Sequence, residues 1–246
     1  MMFVFSSFTS SGILFQTGSD TSVSAVLEES KPKVTVSVSF NDSTMAFVLK
    51  AGDARVTETF EEAFVCDLQI LDINSSDDYK EIAVVGIGNS DYCQAYFYRF
   101  TGGKLVRFAY ITGASNIKAE GNGILKTDNW MGFWMLTEDY AYDSKAMTLV
   151  KKPKDTYPVS DAEAKVTVNF PLRKTRDDNS ESAGMLKPGT KIKVIKADIS
   201  PTCKNADGSD DSWLCHWYYI KASDGSEGWC RLKTFWQSVE GLPWAG

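Results

Sequence analysis

Histidine, metal-type cysteine pairs, long apolar runs and surplus positive charge are what this chain does without. One histidine stands among its 246 residues, and its five cysteines, Cys66, Cys93, Cys203, Cys215 and Cys230, form no CxxC pair. That composition excludes a structural zinc site of the usual Cys/His kind. No apolar run approaches the roughly 20 residues that a membrane-spanning helix needs. Lys and Arg number 26 against 32 Asp and Glu, a formal net charge of −6. The chain as a whole therefore lacks the positive field that draws proteins to nucleic acid or anionic lipid. No Lys or Arg falls between Met1 and Ala25, whereas a secretory leader begins with charge. Residues 1–32 read as a disordered tail or, with Val23-Ser24-Ala25 as a small-residue cleavage pattern, as a remnant leader.

What is present favours strands. Hydrophobic residues make up 43% and aromatics 13% of the chain, with many Val, Thr and Ile, the side chains suited to a pleated, half-buried surface. Val34 to Phe40 alternates apolar with polar, Asn41 to Thr44 is a polar turn, and Met45 to Leu49 resumes the apolar pattern, which is the signature of a hairpin. Further strand candidates are Phe64 to Leu71, Glu81 to Gly86, Gln94 to Phe100, Lys104 to Ile111, Gly123 to Leu125, Gly132 to Leu136 and Met147 to Val150, with Gly102-Gly103 as a tight turn. Helical periodicity shows only as a hint from Glu58 to Ala63. The stretch Lys151-Lys-Pro-Lys-Asp-Thr-Tyr-Pro158 would interrupt a hydrogen-bond ladder, so residues 33–157 form one antiparallel β domain and 158–240 a second. In the second, strands are expected at Ala164 to Phe170, Thr190 to Lys196, Trp213 to Ala222 and Gly228 to Leu232. Cys203 and Cys215 bracket a polar loop that a disulfide would restrict; the other reading keeps all five cysteines as thiols.

Leu186-Lys-Pro-Gly-Thr-Lys-Ile-Lys-Val-Ile195, followed by Trp217-Tyr-Tyr-Ile220 and Gly225-Ser-Glu-Gly-Trp229, resembles the bacterial SH3 domain. The chain departs from that pattern in Asn169-Phe-Pro-Leu-Arg-Lys-Thr175 and in an insertion from Asp198 to Ser212. Upstream, Asp72-Ile-Asn-Ser-Ser-Asp-Asp-Tyr-Lys-Glu-Ile-Ala-Val84 resembles a single integrin-type FG-GAP/VCBS repeat. The combination is similar to secreted proteins of Gram-positive anaerobes. These resemblances imply an all-β chain, a small antiparallel blade-like domain followed by an SH3-like barrel. A closed propeller needs four or more blades, more than about 125 residues can supply.

Asp72, Asn74, Ser76 and Asp78 are spaced two apart, with Glu81 three further on, and hard oxygen ligands in such a loop suit calcium. The same side chains can instead accept backbone N–H bonds in Asx-turns. In the C-terminal unit, aromatic faces suit peptide or sugar ligands. Strand alternation puts Trp213, Cys215, Trp217 and Tyr219 on one face, and Leu214, His216, Tyr218 and Ile220 on the other. The family pattern assigns Trp217 and Trp229 to the core, which leaves Trp213 and Tyr218 exposed, with Arg173 available to a carboxylate. For catalysis, adjacent strand residues point to opposite faces, so Cys215 and His216 cannot form a dyad; Asp77 with Glu81 is the one carboxylate pair worth naming. The expectation is a non-catalytic binding or targeting protein of the cell envelope or exterior. Its partner would be cell-wall polymer or an envelope protein. A calcium-stabilised adhesion protein and a carboxylate-dependent hydrolase are the alternatives.

Overall fold

Alternation along the chain becomes a succession of antiparallel meanders. The computed structural model describes residues 16–17, 20–88, 92–160, 162–200 and 212–244, and over these the chain is all-β. By its contacts it divides into two units: Met1–Asn129 with Glu138–Lys152, and Trp130–Thr137 with Pro153–Gly246.

In the first unit, β1 (Gln16–Thr17), β2 (Asp20–Ala25), β3 (Val34–Asn41), β4 (Ala46–Ala51), β5 (Ala54–Thr59), β6 (Val65–Leu71), β7 (Glu81–Ile87), β8 (Cys93–Thr101) and β9 (Lys104–Thr112) come first. They are followed by β10 (Ser115–Ala119), β11 (Ile124–Trp130), β12 (Met135–Asp143) and β13 (Thr148–Lys152). Strands β2 to β5, β6 to β9 and β10 to β13 make three consecutive blade-like meanders, and β1 adds to the edge of β6. Turn chemistry matches its geometry. Gly102 and Gly103 both have positive φ, 57° and 72°, as a two-residue turn between β8 and β9 requires. The β3–β4 turn is held by Thr44 N–H donating to Asn41 Oδ1 (3.1 Å), and the β12–β13 turn by Ala146 N–H donating to Asp143 Oδ1 (2.9 Å).

The middle meander is buried on both faces. Leu68, Ile70, Ile82, Val84, Tyr96 and Tyr98 join one apolar cluster with Val36, Val38, Phe47 and Leu49 of the first meander. The alternate residues Leu71, Ala83, Val85, Ala95 and Phe97 join another with Ile117, Leu125 and Tyr140 of the third. This two-sided burial is why β6, β7 and β8 read as almost continuous apolar runs, while the first meander alternates.

Two expectations change in the first unit. Asp20–Ala25, within the stretch read as a tail, is a strand paired with β3 from Asp20↔Ser39 to Ala25↔Val34. Its buried side is Thr21 and Ala25 with half-buried Val23, small side chains that leave a faint alternation. Glu58 and Thr59 end β5 instead of opening a helical turn, because β5 pairs along its whole length with β4.

The second unit contains β14 (Tyr157–Pro158), β15 (Glu163–Val166), β16 (Phe170–Arg173), β17 (Ser182–Leu186), β18 (Lys191–Asp198), α1 (Ser212–Cys215), β19 (Trp217–Ala222), β20 (Glu227–Arg231), α2 (Leu232–Phe235) and β21 (Val239–Glu240). Its sheet runs β17-β16-β20-β19-β18-β15-β21, with β14 also on β18. One core collects Phe133, Trp134, Phe170, Leu172, Leu186, Ile192, Val194, Tyr218, Ile220, Leu232 and Phe235. Pro188-Gly189 turns into β18 as expected, Gly189 at φ 89° and Thr190 N–H donating to Lys187 O (3.1 Å), the geometry of a type II turn. Trp213 lies in the short helix α1 where a strand was expected, and β19 begins at Trp217.

Candidate functional site

The acidic loop joins β6 to β7. Asn74 Oδ1 accepts the Ser76 hydroxyl (2.8 Å), and Asp77 Oδ1 accepts the backbone N–H of Tyr79 (2.9 Å), so Asx-type bonds shape the loop. Glu29 N–H donates to Asp78 O (2.6 Å) and Lys80 N–H to Leu27 O (2.9 Å), tying it to the chain that follows β2. Asp72, Asp77 and Asp78 line a cleft of ≈320 Å³ together with Glu29 and Lys80.

Glu81 does not turn toward Asp72 and Asp78. It is fully buried at the start of β7, and its Oε1 lies 2.8 Å from an Arg99 terminal nitrogen. Its Oε2 accepts the Ile73 N–H (3.3 Å). Burial pushes the Glu81 carboxyl above its ordinary range, against the pull of Arg99. The same Arg99 nitrogen is 3.2 Å from Asp77 Oδ2. Among the described residues no group of three or more His, Cys, Asp or Glu is arranged to hold a metal, and of Asp72, Asn74, Ser76, Asp78 and Glu81, whose spacing suggested calcium, Glu81 is turned onto Arg99. The physical reason is that strand register sets Glu81 opposite Arg99, and a buried carboxylate takes the nearest cation. Asp77 and Glu81, the pair considered for hydrolysis, share that guanidinium. The signal for Arg99 was in the sequence: it is the one charged residue in the apolar run Gln94 to Phe100, and a buried charge needs a partner.

In the second unit the alternation of β19 holds, but both faces are covered. Tyr218 and Ile220 enter the core. Tyr218, expected to be exposed, is fully buried; it accepts the indole N–H of Trp134 (3.3 Å), and burial pushes its phenol up to about 12. Trp217 and Trp229 are buried as expected, at 2% and 8% exposed, but with Tyr219 they lie on the opposite face of the sheet and outside that cluster. Arg231 stacks over Trp217 (4.4 Å to the ring centroid) and Arg176 over Trp229 (5.3 Å). Lys196 lies 5.2 Å from the centroids of both Tyr219 and Trp229, whose rings meet edge to face at 5.3 Å.

The cations differ in their partners. Arg176 is neutralised by Asp155 (2.8 Å) and Asp198 (3.0 Å), and Arg231 by Asp178 (3.0 Å). Lys196 pairs with no carboxylate among the described residues. It is half-buried, as is Tyr219, so a positive charge and an aromatic face are offered together.

The three residues expected to bind ligand are not brought to one place. Arg173 sits on β16 opposite Trp229 and donates to Ser180 O (3.0 Å). Trp213 is half-buried on α1, with its indole N–H donating to Met131 O (3.4 Å) and its ring 6.0 Å from that of Trp244. Cys215 is disulfide-bonded, which removes it as a nucleophile beside the buried His216; Cys203 lies outside the described residues. Cys66, Cys93 and Cys230 are buried and in no disulfide. The chain matches no family model, no curated protein and no solved structure, so the reading of these sites rests on their geometry.

Proposed function

We propose that this protein is a non-catalytic binding module of the cell envelope or exterior, and that its second unit recognises an anionic cell-wall polymer or envelope protein through the face formed by Lys196, Tyr219 and Trp229. The observation that carries this reading is Lys196. Its ammonium is held against two aromatic rings with no carboxylate of its own among the described residues, while the arginines on either side are neutralised. An arriving carboxylate or phosphate gains a charge-assisted hydrogen bond there, and a sugar or peptide group can lie on the half-exposed ring of Tyr219. Charge distribution also supports it. The second unit carries 13 basic and 13 acidic residues, so the whole of the −6 belongs to the first unit and the second is neutral as a whole. The resemblance to bacterial SH3 domains points the same way, as an argument about fold.

Co-sedimentation of the full chain with purified peptidoglycan tests the proposal. Wild type should be retained well above an unrelated acidic protein, and Lys196→Glu should reduce retention at least about fivefold, since it places a like charge against the ligand. Tyr219→Ala should reduce it as well, with both variants keeping the wild-type circular dichroism. Retention of wild type no greater than the acidic control, or equal retention of Lys196→Glu, would overturn it.

A further inference from the structure

The spacing of Asp72, Asn74, Ser76, Asp78 and Glu81 suggests a calcium ion in the β6–β7 loop, but the donors present do not fit one, because Glu81, the last of the set, is turned onto Arg99. We infer that Arg99 is a resident cation that takes the Glu81 carboxylate which the spacing offers to calcium, so that the loop holds its shape without metal.

The geometry is that of an organising centre. One Arg99 terminal nitrogen bonds Glu81 Oε1 (2.8 Å) and Asp77 Oδ2 (3.2 Å), and the other donates to Ser144 O (3.2 Å). Glu81 in turn receives Ile73 N–H. A single guanidinium thereby joins the β6–β7 loop, β8 and the β12–β13 turn, three segments far apart in sequence. Its plane packs against Tyr79 at 4.2 Å and Tyr142 at 5.4 Å from the ring centroids, contacts that a spherical ion could not use but a flat, weakly hydrated cation can. The side chains of Glu81 and Arg99 are only 0% and 6% exposed, so water cannot solvate the carboxylate and the guanidinium must balance it. Calcium cages are assembled from many oxygens and are lost to chelators; a cation carried on β8 is always at full occupancy.

Thermal melts of the full chain, followed by far-UV circular dichroism in calcium chloride and in EGTA, test this. Wild type should melt at the same temperature in both. Arg99→Met keeps the side-chain volume and removes the charge, and should lower the midpoint by about 10 °C by stranding Glu81. The double variant Arg99→Met/Glu81→Gln should regain much of that loss, because the stranded charge is gone. If Arg99→Met does not fold, Arg99→Lys replaces it in the same cycle. A calcium-dependent rise in wild type that Asp72→Ala abolishes would overturn the inference, as would a double variant whose loss equals the sum of the two single losses.

Discussion

Gly86→Ala is the sharpest test of the packing between the first two meanders. Gly86 lies in β7 with φ outside the left-handed region, so alanine is conformationally allowed there and, by restricting the unfolded chain, would by itself stabilise by about 0.4–1 kcal/mol. The native structure opposes it. A Cβ at this position would lie 2.7 Å from Phe60 Cδ1 and Cγ and 2.8 Å from Cε1, well inside van der Waals contact. Nor can the ring retreat easily. Phe60 is 3% exposed, and its centroid is 4.9 Å from that of Phe47, 5.6 Å from Tyr96 and 6.0 Å from Phe40. Forcing volume into such a core costs about 1–3 kcal/mol, and this contact belongs at the upper end, leaving a net loss of about 1.5–2 kcal/mol after the unfolded-state gain. Urea unfolding followed by far-UV circular dichroism measures it. Tryptophan emission does not, since all seven tryptophans lie in the second unit. In a Phe60→Leu background the same substitution should cost less than about 0.5 kcal/mol, a coupling within the usual range for touching residues. A loss below about 0.5 kcal/mol in wild type, or an undiminished loss in the Phe60→Leu background, would refute the reasoning.

Two further outcomes follow from buried ionisable groups. Asp67 is 8% exposed, its Oδ1 makes no hydrogen bond, and burial raises its pKa above the ordinary 3.8. Below that ordinary value it is protonated in both states and costs nothing. As pH climbs from there through its raised folded value, the unfolded state ionises first and stability is lost. Asp67→Asn should therefore stabilise, by a margin that widens between pH 4 and pH 7 in urea midpoints; a margin that shrinks with pH would refute the assignment. Burial pushes the thiols of Cys66 and Cys230 up to about 12, so iodoacetamide at pH 8 should label neither in the native protein and both in urea, read by mass spectrometry. Labelling of either in the folded chain at the unfolded rate would show that the burial is wrong.

Much of the strand layout was legible because its causes are local. The Asn41–Thr44 turn, the Gly102-Gly103 turn and the Pro188-Gly189 turn each depend on the backbone preferences of two to four neighbouring residues, and the apolar run Gln94 to Phe100 showed itself as a strand before its partners were known. Ser-rich Asp20–Ala25 was hidden because Thr21, Val23 and Ala25 make a faint apolar stripe. The candidate site was legible only in part. Trp217, Tyr218, Tyr219 and Trp229 stood out as an aromatic group, but both faces of β19 are aromatic, and alternation cannot say which is inside. The acidic spacing from Asp72 to Glu81 was visible, yet Glu81 answers to Arg99, eighteen residues on and across the β7–β8 register.

The order of residues by itself determined that this is an all-β protein of short antiparallel strands with polar turns, because period-two alternation and turn chemistry act over a few residues. Tertiary structure alone decided that Tyr218 faces the core while Trp217 and Trp229 lie under Arg231, Arg176 and Lys196, and that Glu81 binds a guanidinium. Both outcomes depend on side chains remote in the chain, and strand register brings those together only once the sheets have formed.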